Sequence, residues 1–161
     1  MSEPVLKGCW RSADAVIQRD VLKFWREEDL LPDVADAAKR LKEVCVVAYD
    51  GDRIIGALDA QIRRLDVVRA RFAVLRVAIA NDRKHARLGS DLVGLAMHLL
   101  EQWSIQNPAE KLCGIARIVH AKQIDELARQ PVWEPTKLTL IGYNAKGAQI
   151  RIAWFGHATL D

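Results

Sequence analysis

The sequence is short of the features that mark several large protein classes. Its three cysteines, Cys9, Cys45 and Cys113, are odd in number, far apart and form no C-x-x-C pair. They read as buried thiols of a reducing compartment, not as a disulfide frame. Nine glycines and five prolines in 161 residues are too few for a fibrous or low-complexity chain. No run of about 18 apolar residues occurs, so no membrane-spanning helix is expected. The start, Met1-Ser2-Glu3-Pro4, lacks a charged segment followed by an apolar stretch, so no secretory signal is read and a cytoplasmic location is expected. No pair of His, Cys or carboxylate residues has ligand spacing, and no metal site is expected.

Charge is balanced as well. The net charge of +3 and pI near 8.9 suit an anionic cofactor or substrate but fall short of a nucleic-acid-binding argument. Arg63, Arg64, Arg69 and Arg71 alternate along a strand-like segment. They read as a solvated edge, and nucleic acid is not favoured as a partner. What remains is a chain half hydrophobic and 28% charged, expected to fold as one domain over residues 1–161.

The most informative stretch runs from Val74 to Trp103. Val74 to Ile79 is a short β-prone run ended by the Asn81-Asp82 turn pair. Leu88, Leu92, Leu95, Leu99 and Trp103, with Ala96 and Leu100, then form one apolar stripe at helical spacing. Between strand and helix stand Arg83, Lys84, His85 and Arg87. Cations at a helix N-terminus oppose its dipole by a few tenths of a kcal/mol, roughly up to one each. Such a cluster is either a solvated basic turn or an anion site of the kind that takes phosphate.

The elements follow in order. Val5 to Trp10 predicts a strand. Asp14 to Glu28 predicts a helix with Ser12 as N-cap, and Asp33 to Lys42 a second helix after Pro32. Val44 to Tyr49 and Arg53 to Ile62 predict a hairpin around Asp50-Gly51, and a basic connection over 63–71 leads to the strand already described. Beyond the long helix, Leu112 to Val119 predicts a strand and Ala121 to Gln130 a short helix stopped by Pro131. Lys137 to Tyr143 with Ala148 to Phe155 predicts a last hairpin.

Ile79-Ala80-Asn81-Asp82-Arg83-Lys84-His85-Ala86-Arg87-Leu88-Gly89 resembles the acyl-CoA signature of the GNAT acetyltransferase superfamily. Ile79, Lys84 at the Arg/Gln-type position, and Gly89 fall in register with it. Asn81 stands where proline is common, and Arg87 where the first glycine is usual. The element order β-α-α-β-β-β-α-β-α-β-β is that of the same family. The resemblance implies an α/β (α+β) GNAT fold, with a mixed, mostly antiparallel sheet flanked by helices. It also implies an N-acetyltransferase that moves an acetyl group from acetyl-CoA, its co-substrate, to an amine. The backbone of Val77, Ala78 and Ile79 would hold the pantetheine arm. The turn Lys84, His85, Ala86, Arg87, Leu88 and Gly89, with the Ser90 hydroxyl, would hold the pyrophosphate, with charge added by Arg83, Lys84 and Arg87.

The usual Tyr acid of the family has no counterpart, since Ala128 occupies its register, and Ala121 stands where an Asn is common. His120, at the mouth between the fourth and fifth strands, is the remaining catalytic candidate. Histidine's ordinary pKa of about 6.5 suits acid or base work; a surface His at a strand end is the other reading. Tyr143 is a candidate for the site or for packing. His98 is expected to be exposed, and His157 lies in the tail. Asp59 is either an amine-binding carboxylate or the outward position of an alternating strand. Trp10, Trp25, Trp103, Trp133 and Trp154 read as core packing. Phe24 and Trp25 are adjacent and cannot both face inward, so one of them is a candidate for an acceptor cleft or a homodimer contact. The acceptor, a small-molecule or protein amine, is not named by any motif. The alternative is a non-catalytic GNAT-fold module that binds acyl-CoA or another protein.

Overall fold

Apolar runs in this chain become strands, and the turns between them fall on Gly, Asn and Asp. The computed structural model describes residues 3–83 and 86–158. Its strands are β1 (Val5–Gly8), β2 (Val44–Asp50), β3 (Arg53–Leu65), β4 (Ala70–Ile79), β5 (Leu112–Val119), β6 (Val132–Trp133), β7 (Leu138–Tyr143) and β8 (Gln149–Trp154). They form one sheet in the order β1-β2-β3-β4-β5-β8-β7-β6. β4 and β5 run parallel, while β1–β2, β2–β3, β5–β8, β6–β7 and β7–β8 run antiparallel. The α-helices among the described residues are α1 (Ala15–Glu27), α2 (Val34–Lys42) and α3 (Ala86–Gln106). This is the expected mixed sheet with flanking helices. No helix among the described residues is long and apolar enough to cross a membrane.

Two compact units divide the chain. The first comprises Met1–Ala60 with Arg76–Leu99, the second Gln61–Leu75 with Leu100–Asp161. In the first, Asp14 rather than Ser12 caps α1, accepting a hydrogen bond from the Ile17 amide at 2.9 Å. Asp33 caps α2 in the same way through Asp36. Phe24 and Trp25 are both buried, at 2% and 1% exposure, so neither offers the surface aromatic expected above. The reason is a second cover on α1: Arg40 of α2 lies over the Trp25 ring at 4.8 Å. Asp50 pairs with Arg53 across the β2–β3 hairpin, so its loop is Gly51-Asp52, with Gly51 at φ +63°. Ile54 to Ala60 of β3 is buried on both faces of the strand.

In the second unit, β3 runs on to Leu65 and β4 begins at Ala70, which shortens the expected basic connection to a tight turn. Leu65, Phe72, Val74, Ala116 and Ile152 pack as its core. Gly114 of β5 is obligatory there: a Cβ would lie 2.1 Å from the Ala153 carbonyl oxygen and 2.9 Å from the Phe72 ring.

The expected helix over Ala121 to Gln130 does not form. Two separate 3-10 turns, Ala121–Gln123 and Leu127–Arg129, stand in its place, with Ile124 extended at φ −76°, ψ 108°. Local capture breaks the periodicity: the Asp125 carboxylate accepts the Ala128 amide at 3.0 Å and closes a second turn after Ile124. The carbonyls of Leu127, Ala128 and Gln130, which the end of a helix leaves unpaired in any case, accept from the Trp133 indole at 2.7 Å and from Arg151 of β8. Pro131, with no N–H to give, removes the donor that would have continued a helix.

Candidate functional site

β4 leaves its parallel partner early. Register between β4 and β5 spans Arg71–Leu112 to Val74–Ala116, while β4 itself continues to Ile79. Phe72 to Leu75 are buried, whereas Val77, Ala78 and Ile79 are only half-buried. The strand ends where the Ala80 amide donates to the Ile55 carbonyl at 2.8 Å, and a 3-10 turn over Asn81–Arg83 follows.

Three contacts hold that turn. The Asn81 amide donates to Glu28 Oε2 at 3.1 Å. Arg53 lies 3.7 Å from the other oxygen of Glu28 and 3.2 Å from Asp82, and Arg83 is ion-paired with Asp50. The Arg53 guanidinium holds the Asp82 carboxyl below its usual range through their hydrogen bond. Lys84 and His85 lie outside the described residues. From Arg87 onward the helix is clear: Arg87 is exposed, Leu88 buried, Gly89 and Ser90 half-buried. A Cβ on Gly89 would sit 3.4 Å from Ile79 Cδ1, so the first turn of α3 packs directly on the end of β4.

The basic cluster is therefore not simply unbalanced. Asp50 answers Arg83, and Asp91 lies 3.8 Å from the Nε of Arg87 in an exposed i,i+4 pair of little worth. Among the described residues of the cluster, Arg87 has the freedom to reach a ligand. Beside β4, Asp59 is neither an outward strand position nor an open amine-binding carboxylate. At 3% exposure it accepts from Arg40 at 3.0 Å and from Arg76 at 2.5 Å, and Arg76 lies 3.4 Å from Glu43. Burial holds the Glu43 carboxyl above its ordinary value, against the pull of Arg76.

In the second unit, His120 is exposed just beyond β5, at the start of the Ala121–Gln123 turn, with no capping hydrogen bond from its side chain. Tyr143 is 58% exposed, so it is neither packed nor enclosed. His98 is exposed, as expected. His157 stacks on Phe155 and lies 3.0 Å from the Ser104 hydroxyl, which itself donates to the Glu101 carbonyl. Of the tryptophans, Trp25 alone is fully buried; Trp154 is 41% exposed against the edge of Phe72. Among the described residues no group of three His, Cys, Asp or Glu side chains could hold a metal ion.

Two arginines on adjacent strands escaped the sequence reading. Arg117 of β5 and Arg151 of β8 are Cα partners. A signal existed in the sequence: each sits as a single cation inside an apolar strand, in Ile115-Ala116-Arg117-Ile118 and in Ile150-Arg151-Ile152-Ala153. Burial pushes the pKa of both downward.

No protein-family profile matches the chain, and no curated protein sequence matches it. Solved structures do. A GNAT-family acetyltransferase from Streptococcus pneumoniae aligns with TM-score 0.58 at 15% identity, over 96% of this chain and 100% of its own. A phosphinothricin acetyltransferase from Sinorhizobium meliloti, solved with acetyl-CoA, aligns with TM-score 0.65 at 17% identity, over 97% and 90%. An aminoglycoside 6'-N-acetyltransferase complexed with coenzyme A aligns with TM-score 0.56 at 15% identity, over 97% and 99%. At such identities the likeness is one of fold: the chain has the GNAT fold.

Proposed function

We propose that this protein is an N-acyltransferase that takes an acetyl group from acetyl-CoA and gives it to an amine. The run from β4 into α3 carries the reading. β4 parts from β5 after Val74, keeps Val77 to Ile79 half-buried, and passes through a short turn into a helix whose Gly89 lies against Ile79. An extended pantetheine arm would add to β4 along Val77, Ala78 and Ile79 as a strand adds to a sheet edge. The pyrophosphate would meet the amides from Lys84 to Gly89 and the Ser90 hydroxyl at a helix N-terminus. The exposed Arg87 would contribute charge. Similarity in fold to proteins solved with acetyl-CoA or coenzyme A supports the same ligand.

In the reaction, the amine nitrogen attacks the thioester carbonyl, forms the C–N bond and gives up a proton to a base. The tetrahedral oxyanion collapses, the C–S bond breaks, and coenzyme A leaves as a thiolate that takes up a proton. His120 is our candidate for one of the two proton transfers. The acceptor is a small-molecule or protein amine. One observation favours a second reading, a non-catalytic module that binds acyl-CoA. The helix expected after β5 is replaced by 3-10 turns, and no tyrosine occupies that segment.

Calorimetric titration with acetyl-CoA and with coenzyme A tests the ligand. Micromolar binding is expected, weakened at least about tenfold in Arg87→Glu and Gly89→Glu; no binding at millimolar ligand overturns the reading. Thiol release in the presence of amines then separates enzyme from module. His120→Ala is expected to keep binding while lowering turnover.

A further inference from the structure

Arg117 and Arg151 share a strand pair but not a fate. Facing residues on antiparallel strands project from the same side of a sheet, so both guanidiniums leave the same face of β5 and β8. Arg151 is fully buried, and its head is spent. Nε donates to Gln149 at 3.0 Å. Nη1 reaches the carbonyls of Pro131 and Leu138 at 3.4 Å, and Nη2 those of Ala128 at 2.7 Å and Gln130 at 2.6 Å. The Trp133 ring covers it at 4.0 Å.

Arg117 has none of this. It is half-buried, yet makes no hydrogen bond, ion pair or ring contact among the described residues. The contrast with the other part-buried arginines is sharp. Arg40 and Arg76 meet Asp59, Arg71 meets Glu110, and Arg83 meets Asp50. The face carrying Arg117 and Arg151 holds two cations, and no described carboxylate pairs with either. Like charges directly opposed across strands destabilise a sheet, and a partly desolvated cation without a partner costs further. Burial holding the Arg117 pKa down reports the same desolvation.

We propose that Arg117 is an anion-binding residue, receiving a phosphate or carboxylate oxygen of a ligand laid against the β5–β8 face of the second unit. A guanidinium fork matches either oxyanion with two parallel hydrogen bonds, and a pre-desolvated one gives up little water on binding. Arg151 cannot share this task, because its donors are already taken by backbone carbonyls. Its role is to shape the 128–138 loop around the site and to keep the local potential positive. The proposal is independent of the acyl-CoA reading, since it requires an oxyanion and not a thioester.

The test is proton–nitrogen NMR of the Arg117 Nε–H, assigned by its loss in Arg117→Lys. Inorganic phosphate, succinate and acetyl-CoA are titrated separately, with sodium chloride at matched ionic strength as control. Saturable movement of that resonance with phosphate or succinate, but not with chloride, is expected. Arg117→Gln should weaken the effective anion roughly tenfold without lowering the melting temperature. Movement with phosphate alone assigns a phosphate site, and movement with succinate alone a carboxylate site. Movement with acetyl-CoA assigns the group to that ligand's phosphates. A resonance that stays put with every probe at tens of millimolar, or moves equally in chloride, overturns the proposal. So does an Arg117→Gln variant that melts lower while binding every anion as before. Acetyl-CoA binding that survives either result leaves the acyltransferase reading intact.

Discussion

Single positions already carry decisive physics. At Gly114 the obstacle to any side chain is backbone and ring, not the flexible end of a neighbour, so the strand must move to admit even a methyl. Gly114→Ala is expected to cost about 3 kcal/mol, at the upper end of the usual overpacking range, and denaturant titration reads it as a lower midpoint at unchanged slope. Glu43 predicts a pH effect. Its carboxyl is held above the ordinary 4.5, so the folded chain binds that proton more tightly than the unfolded chain does. Stability from this group is full below the unfolded value and is lost as pH rises through the folded one. Glu43→Gln escapes that loss. Its melting temperature should gain on wild type as pH rises from the ordinary carboxylate range through the raised folded value, then hold a constant lead. A lead that does not change with pH would place the proton elsewhere. The sequence could not announce this group, because Glu43 looks like an ordinary helix-end residue until Arg76 and Asp59 are brought beside it.

Elements were readable where one periodicity ruled and unreadable where side chains compete for backbone. α3 follows its stripe, with Leu88, Leu92, Ala96 and Leu100 buried at helical intervals. The last hairpin follows its turn chemistry: Asn144 Oδ1 accepts the amides of Lys146 and Ala148, and Gly147 takes φ +78°. The 121–130 segment has only Ile124, Leu127 and Ala128 for a stripe and breaks at Ile124, because the Asp125 carboxylate takes the Ala128 amide and closes a turn of its own. A short stripe is too weak to show which side wins that local competition. Nor did charge counting at the α3 entrance foresee Asp50 and Glu28, which lie on other elements. Glu28 gives the clearest prediction at this scale. It joins the end of α1 to the Asn81 amide at the start of the turn, so Glu28→Ala should loosen that turn and weaken acetyl-CoA roughly fivefold. Glu28→Gln keeps an acceptor for Asn81 and should restore most of the affinity while losing only the pull on Arg53. Equal losses in the two variants would assign the effect to charge and not to the hydrogen bond.

Over the whole molecule, strand order and chain order part company at one point. Among the described strands β8 comes latest in the chain, yet it lies between β5 and β7 and joins β7 and β6 to β5. Synthesis runs from the N-terminus, so β5 emerges with its open edge long before its neighbour exists. The apolar strand Leu112 to Val119 would spend that interval as an unpaired edge, a state prone to pairing with the wrong chain. Arg117, in the middle of it, then has a second use before folding is finished. A charge set in an apolar edge strand disfavours edge-to-edge association, so this arginine would act as a guard on the nascent chain. Ribosome-bound chains arrested just before Gln149 should accordingly aggregate more readily with Arg117→Val than with the native arginine, a difference that light scattering after release would register. The cation that waits for a ligand in the finished protein thus begins its service while the protein is still being made.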